Sequence, residues 1–209
     1  MAVYHLYIGD KTYSSWSLRP WLLLKTLQIP FVECLHAFGD ITTRHARYRT
    51  FSPTGKVPCL MHHDQVIWDS LAIIEYLAEQ HKNVYPSELT ARAWSRCAIA
   101  EMHAGFQSLR QHCPMDCTRH AALEEIPEAV QVDLERLERL WQQGMDQFGG
   151  PFLAGQQFSA VDAYYAPVAL RIYQYQLPIN ANSQAWVTRI IQLDAMQQWL
   201  KDAALEQSH

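Results

Sequence analysis

Two stretches of this chain hold side chains with chemistry to offer. The first is Ser14-Ser15-Trp16-Ser17, which leads into the apolar run Leu18 to Leu24. The second is Ser52-Pro53-Thr54-Gly55-Lys56-Val57-Pro58, followed after two short apolar runs by Asp69-Ser70. A serine at the mouth of a helix caps free N–H groups, and its hydroxyl remains a donor for a bound group. Asp69-Ser70 stands at a second helix start, because Leu71, Ile73, Ile74 and Leu77 recur at helical spacing. There the free amides and the helix dipole favour a bound carboxylate. Capping alone also accounts for serine and aspartate at such places, since both are preferred caps.

The elements that position these residues are legible in the first 82 positions. Val3 to Ile8 reads as a strand stopped by Gly9-Asp10. Trp16 to Leu27 follows a helical pattern, with either serine as N-cap and Pro20 tolerated in the first turn. Phe31 to Leu35 is a second strand, and Thr43 to Thr50 a weak polar helix or turn. Val57-Pro58 opens a third strand, where a missing N–H need not enter the ladder. Cys59-Leu60-Met61 and Val66-Ile67-Trp68 flank the tight turn His63-Asp64-Gln65 and form a hairpin. The order β-α-β-α-β-β-α, with a parallel crossover first, is the thioredoxin-like layout. That layout sets the first helix's N-terminus against the loop before the proline-led strand.

Redox relatives of that layout keep Cys-x-x-Cys at the first helix start. No cysteine precedes Cys34 here, which excludes dithiol chemistry at that place. A serine hydroxyl can instead hydrogen-bond a bound thiolate. Lowering a thiol pKa from about 8.5 by ~2 units is worth roughly 2.7 kcal/mol. Such a sulfur is mostly ionised at neutral pH and ready to attack an electrophile.

From Thr90 onward the strands stop and helical patterns take over, which marks a domain boundary. The expected organisation is α/β plus all-α: an N-terminal thioredoxin-like domain over 1–82, a linker over 83–89, and a C-terminal helical bundle domain over 90–209. Thr90 to His112 reads as one long helix ended by Pro114, and Ile126 to Phe148 as a second. Ser159 and Asp162 have the spacing of a capping box ahead of a buried-looking helix. Trp68, Trp94, Trp141, Trp186 and Trp199 are expected in the core.

The order Val-Pro, hairpin, Asp-Ser, with YSSWSLRPWLLL upstream, resembles the glutathione S-transferase family. The serine loop is similar to that of serine-type members, the zeta class and related bacterial transferases among them. The resemblance implies glutathione as co-substrate, with a cis-proline pairing its cysteinyl unit and the acid–serine pair holding its γ-glutamyl end. Lys56, Val57, Pro58, Asp69 and Ser70 then bind glutathione, and Ser14 or Ser15 activates its thiol. His103, Phe106, Gln107 and Arg110, spaced around the first long helix, are expected to face a cavity for a small hydrophobic electrophile beside the serine loop, and MHAGFQSLR resembles the matching helix of the bacterial relatives. Trp16 departs from the zeta pattern, which has cysteine there, and so counts against that class's isomerase activity. The family also implies a homodimer. Two alternatives stand beside a transferase: a zeta-type glutathione-dependent cis–trans isomerase, and a non-catalytic module on the same fold.

Composition narrows the classes further. With 49% hydrophobic and 18% charged residues, the 209-residue chain can bury a proper core. A net charge of −4 argues against a nucleic-acid partner. No apolar run is long enough for a membrane span, and Met1 to His5 lacks the features of a signal peptide. Five cysteines without framework spacing fit reduced thiols in a cytoplasm. His112, Cys113, Cys117 and His120 match no standard zinc spacing, so no metal site is expected. No nucleotide-binding glycine loop and no G-x-S-x-G elbow occur.

Overall fold

Strict alternation of buried and half-buried residues sets β1 (Tyr4–Ile8) at the centre of the sheet. The computed structural model describes residues 3–206. The elements that follow are α1 (Ser15–Thr26), β2 (Phe31–Leu35), α2 (Ile41–Tyr48), β3 (Cys59–His62), β4 (Gln65–Trp68) and α3 (Ser70–Gln80). The sheet order is β2-β1-β3-β4, with β1 parallel to β2 and antiparallel to β3, and β3–β4 a hairpin. Leu6, Ile8 and Leu60 face the main core with α1 and α3. Tyr7, Cys59 and Val66 point the other way, into a smaller cluster with Tyr48 and Phe51 beside α2. The thioredoxin-like arrangement is therefore present, and the chain beyond it is helical.

The helical part comprises α4 (Leu89–Ala104), α5 (Gln107–His112), α6 (Glu128–Phe148), α7 (Ala160–Tyr175), α8 (Ala181–Ile191) and α9 (Asp194–Glu206). Helix α7 is buried along almost its whole length, as a helix apolar on all sides must be. It lies against α1, so one continuous core joins the sheet to the bundle. Trp141 and Trp186 meet at 4.4 Å between ring centres, and Trp21 and Trp199 at 5.0 Å. No helix among the described residues is long and apolar enough to cross a membrane.

The single helix expected over Thr90 to His112 is broken in two. Gly105 caps α4, and Phe106 takes a left-handed φ of 59° before α5 begins. A Cβ on Gly105 would lie 2.9 Å from the Glu101 carbonyl oxygen, too close to be accommodated without a shift. Arg110 folds back over the break, its Nε donating to the Gly105 carbonyl at 3.1 Å and its Nη2 to that of Met102. Those bonds supply partners for carbonyls that a helix end leaves unpaired. Helical periodicity continues through the break, which is why pattern alone missed it.

The capping box at the start of α7 is formed. Asp162 accepts from the Ser159 backbone N–H at 3.0 Å and from its Oγ at 3.3 Å. Ser159→Ala should cost about 1 kcal/mol in urea denaturation; an unchanged midpoint would show the cap idle.

Candidate active site

The β1–α1 loop is held from three sides before it reaches the serines. Lys11, buried between Trp21 and Trp199, pairs with Glu33 at 2.8 Å and Asp202 at 2.7 Å. Glu206 accepts the backbone N–H groups of Lys11 and Thr12, at 3.0 and 3.2 Å. The Trp199 indole N–H donates to the Lys11 carbonyl at 2.9 Å, and the Cys117 N–H to that of Thr12 at 3.0 Å. Helix α9 therefore fixes the loop from which α1 starts.

Ser14 is the N-cap of α1 and is buried. Its hydroxyl donates to Ser17 Oγ at 2.7 Å, and Ser17 Oγ in turn accepts the Gly9 N–H at 3.2 Å. That proton is committed inside the protein. Ser15, the first residue of α1, lines an open cavity of about 500 Å3, and its hydroxyl has no hydrogen-bond partner among the described residues. The two serines thus differ in environment although they are adjacent.

Lys56, Val57, Pro58, Asp69 and Ser70 line one groove of about 420 Å3, with Trp16 and Trp68 as further walls. The Val57–Pro58 peptide is cis. Asp69 adopts φ 75°, and its carboxylate accepts the Leu71 N–H at 2.8 Å, capping α3. Ser70 is buried, and its Oγ lies 3.2 Å from the Tyr164 hydroxyl. Tyr164 is hydrogen-bonded to His103 Nδ1, and His103 Nε2 approaches Asp69 at 3.6 Å. A closed polar circuit, Ser70–Tyr164–His103–Asp69, therefore ties the groove's acid–serine pair to α4 and α7.

Trp16 forms a wall of both spaces. On the cavity side it stands with His103, Gln107, Arg110 and Arg171. Its ring carries the Arg19 guanidinium at 4.1 Å and that of Arg110 at 4.8 Å. Arg19 also lies 4.0 Å from the Tyr164 ring centre, and its Nε and Nη1 have no hydrogen-bond partner among the described residues. Burial pulls the Arg19 pKa down to about 9, and the charges of Arg110 and Arg171 act the same way against an opposing contribution from Tyr164. Aromatic faces take the place of the missing hydrogen bonds.

The fold thus gathers Lys56, Val57, Pro58, Asp69 and Ser70 in one groove, and Ser15, His103 and Arg110 in the adjoining cavity. Ser14 sits behind them, and Phe106 is 6% exposed in the core cluster at the α4–α5 break. Trp68, expected in the core, is 45% exposed and walls the groove. Tyr164 and Arg171 were not singled out from the sequence. Polar side chains in an otherwise apolar helix were the available signal. A larger opening of about 800 Å3 lies between the segments 82–91 and 147–159. It contains none of these side chains, so the chemistry is placed by the residues and not by the size of the opening.

A thioredoxin-like sheet with a cis-proline before β3 thus stands against a helical bundle packed on α1. Residues 13–80 match the family described as glutathione S-transferase, N-terminal domain. The chain is 27% identical over 173 residues to a glutathione S-transferase-like protein, OpS6, of Beauveria bassiana, covering 78% of this chain and 76% of that one. It is 32% identical over 108 residues to a probable maleylacetoacetate isomerase of Caenorhabditis elegans, covering 50% of this chain and 48% of that one. A glutathione transferase homolog from Burkholderia GL BGR1, crystallised with bound glutathione, superimposes with a TM-score of 0.72 at 22% identity, covering 97% and 98% of the two chains.

Proposed function

We propose that the chain is a glutathione transferase in which Ser15 stabilises the thiolate. Lys56, the Val57 backbone, Asp69 and Ser70 hold the tripeptide along the groove. Its sulfur reaches past Trp16 towards Ser15 and attacks an electrophile in the adjoining cavity. The observation that carries this reading is the shared wall: Trp16, next to Ser15, borders both spaces. A hydroxyl with a free proton, at the positive end of α1, lowers the energy of the thiolate relative to the thiol. Ser14 supports the loop from behind. Two domains divided near residues 83–89, assembly as a homodimer and residence in the cytoplasm belong to the same reading.

Calorimetry with glutathione tests the binding half. Micromolar affinity is expected, with Ser70→Ala weakening it by about tenfold or more, because a charge-assisted hydrogen bond is lost. Absence of binding by the wild-type chain would favour a non-catalytic module.

Similarity to the maleylacetoacetate isomerase supports a second reading, in which glutathione is returned and not consumed. That enzyme would isomerise maleylacetone without net loss of thiol. Conjugation of aryl halides without any isomerisation rejects it.

A further inference from the structure

The cavity beside Ser15 is cationic on one wall. Arg171 is only 4% exposed. It directs Nε to the Cys113 carbonyl at 2.8 Å and Nη1 to that of Pro167 at 3.1 Å. Arg110 commits Nε and Nη2 to the carbonyls of Gly105 and Met102. Each arginine therefore keeps one terminal nitrogen, Arg110 Nη1 and Arg171 Nη2, without a partner among the described residues. Both side chains line the cavity, and among the described residues no aspartate or glutamate lines it with them. The acid acting on Arg110 is Asp133, whose carboxylate accepts the Leu109 N–H at 2.8 Å.

A buried guanidinium without a carboxylate partner is costly to keep. Burial, followed by the repulsion of Arg110, pulls the Arg171 pKa down to about 10. Two uncommitted donors on rigid, carbonyl-anchored guanidinium groups form a receptor for a planar oxyanion. Trp16 and Met115, on the same cavity, offer apolar surface for the rest of a ligand.

We propose that this cavity takes an electrophile bearing one carboxylate, held by Arg110 Nη1 and Arg171 Nη2, with its reactive carbon turned towards Ser15. The proposal rests on the transferase reading and narrows it: the family resemblance implies a hydrophobic electrophile, whereas this wall asks for an acid. With a chlorodinitrobenzoate as probe, the glutathione sulfur forms a bond to the ring carbon bearing chlorine. The C–Cl bond breaks with its electron pair on chloride, the thiol proton passes to solvent, and the carboxylate is unchanged.

The experiment compares that acid with its methyl ester. For each, kcat/KM is divided by the uncatalysed rate with glutathione, which removes intrinsic reactivity, and the affinities of the two glutathione conjugates are measured by calorimetry. The acid is expected to exceed the ester by about tenfold or more in both quantities. Arg110→Gln should bring the ratio towards one. Because Arg110 also caps α4, Gln107→Glu serves as a second variant: it adds a negative charge that repels the ligand's carboxylate and competes for the arginines, and should cut the ratio with both arginines still in place. An acid-to-ester ratio at or below one in the wild-type protein overturns the proposal, as does a ratio unmoved by both variants. Glutathione binding separates the two levels. If glutathione binds and the ester is preferred, only the carboxylate assignment fails. If free glutathione does not bind yet the acid conjugate is preferred, the carboxylate site stands and the transferase reading fails.

Discussion

Ser15→Ala is expected to raise the pKa of enzyme-bound glutathione by about 1–2 units and to lower kcat/KM near neutral pH by about 10- to 100-fold. The sizes follow from one hydrogen bond to a charged sulfur, worth about 1.5–3 kcal/mol. Ionisation of bound glutathione is read from its ultraviolet thiolate absorbance as pH is varied. Activity in Ser15→Ala should recover as pH rises, because thiolate lost near neutrality is restored once pH passes the new pKa. Ser14→Ala should act differently. The Ser14 proton already serves Ser17, so its removal loosens the Gly9–Ser17 loop and moves the thiol pKa less. A Ser14→Ala variant that loses the thiolate while Ser15→Ala keeps it would reverse the assignment.

The second large effect is on stability. Asp162→Ala should cost about 3–5 kcal/mol, measured by chemical denaturation. The Asp162 carboxylate is fully buried and accepts from Leu153 N–H and Trp186 Nε1, each at 2.9 Å, besides both groups of Ser159. Alanine leaves these donors without an acceptor in a dry site. Burial raises the Asp162 pKa to about 6, although every one of its hydrogen bonds opposes that rise. Since the folded pKa exceeds the ordinary 3.8, the native state holds a proton that the unfolded state has released between those values. Its contribution to stability is therefore greatest near and below the unfolded pKa and is lost as pH rises through about 6, by roughly 3 kcal/mol if it titrates alone. The gap between wild type and Asp162→Ala should widen as pH is lowered from about 7 to about 5. A gap that narrows would contradict the raised pKa.

Most of the groove was legible before any coordinates, because local chemistry fixes it. A proline can open a strand, a hairpin needs a tight turn, and an Asp-Ser pair starts a helix. These rules set Pro58 opposite the helix start at Asp69-Ser70, and the family resemblance added Lys56 and Val57 to them. What stayed hidden depends on contacts between distant parts of the chain. Tyr164 lies in a run that reads as buried helix, and its polar role shows only once α7 is set against α1 and α4. The pattern spaces Phe106 and Arg110 around one long helix beside the cavity. The turn at Gly105 sends Phe106 into the core and Arg110 to the cavity. Trp68 shows the limit of composition as a guide. Large aromatics are usually buried, yet this one ends an edge strand and walls the groove. The choice between Ser14 and Ser15 is open in sequence, since both suit a helix start; the bond to Ser17 and the place of Ser15 on the cavity wall distinguish them.

A crystal structure of the protein with glutathione tests the central claim most directly. The account predicts the tripeptide's γ-glutamyl end at Asp69 and Ser70, its cysteinyl backbone along Val57, and its sulfur within about 3.3 Å of Ser15 Oγ. A sulfur beyond hydrogen-bond reach of either serine, or glutathione seated outside the groove, would contradict it.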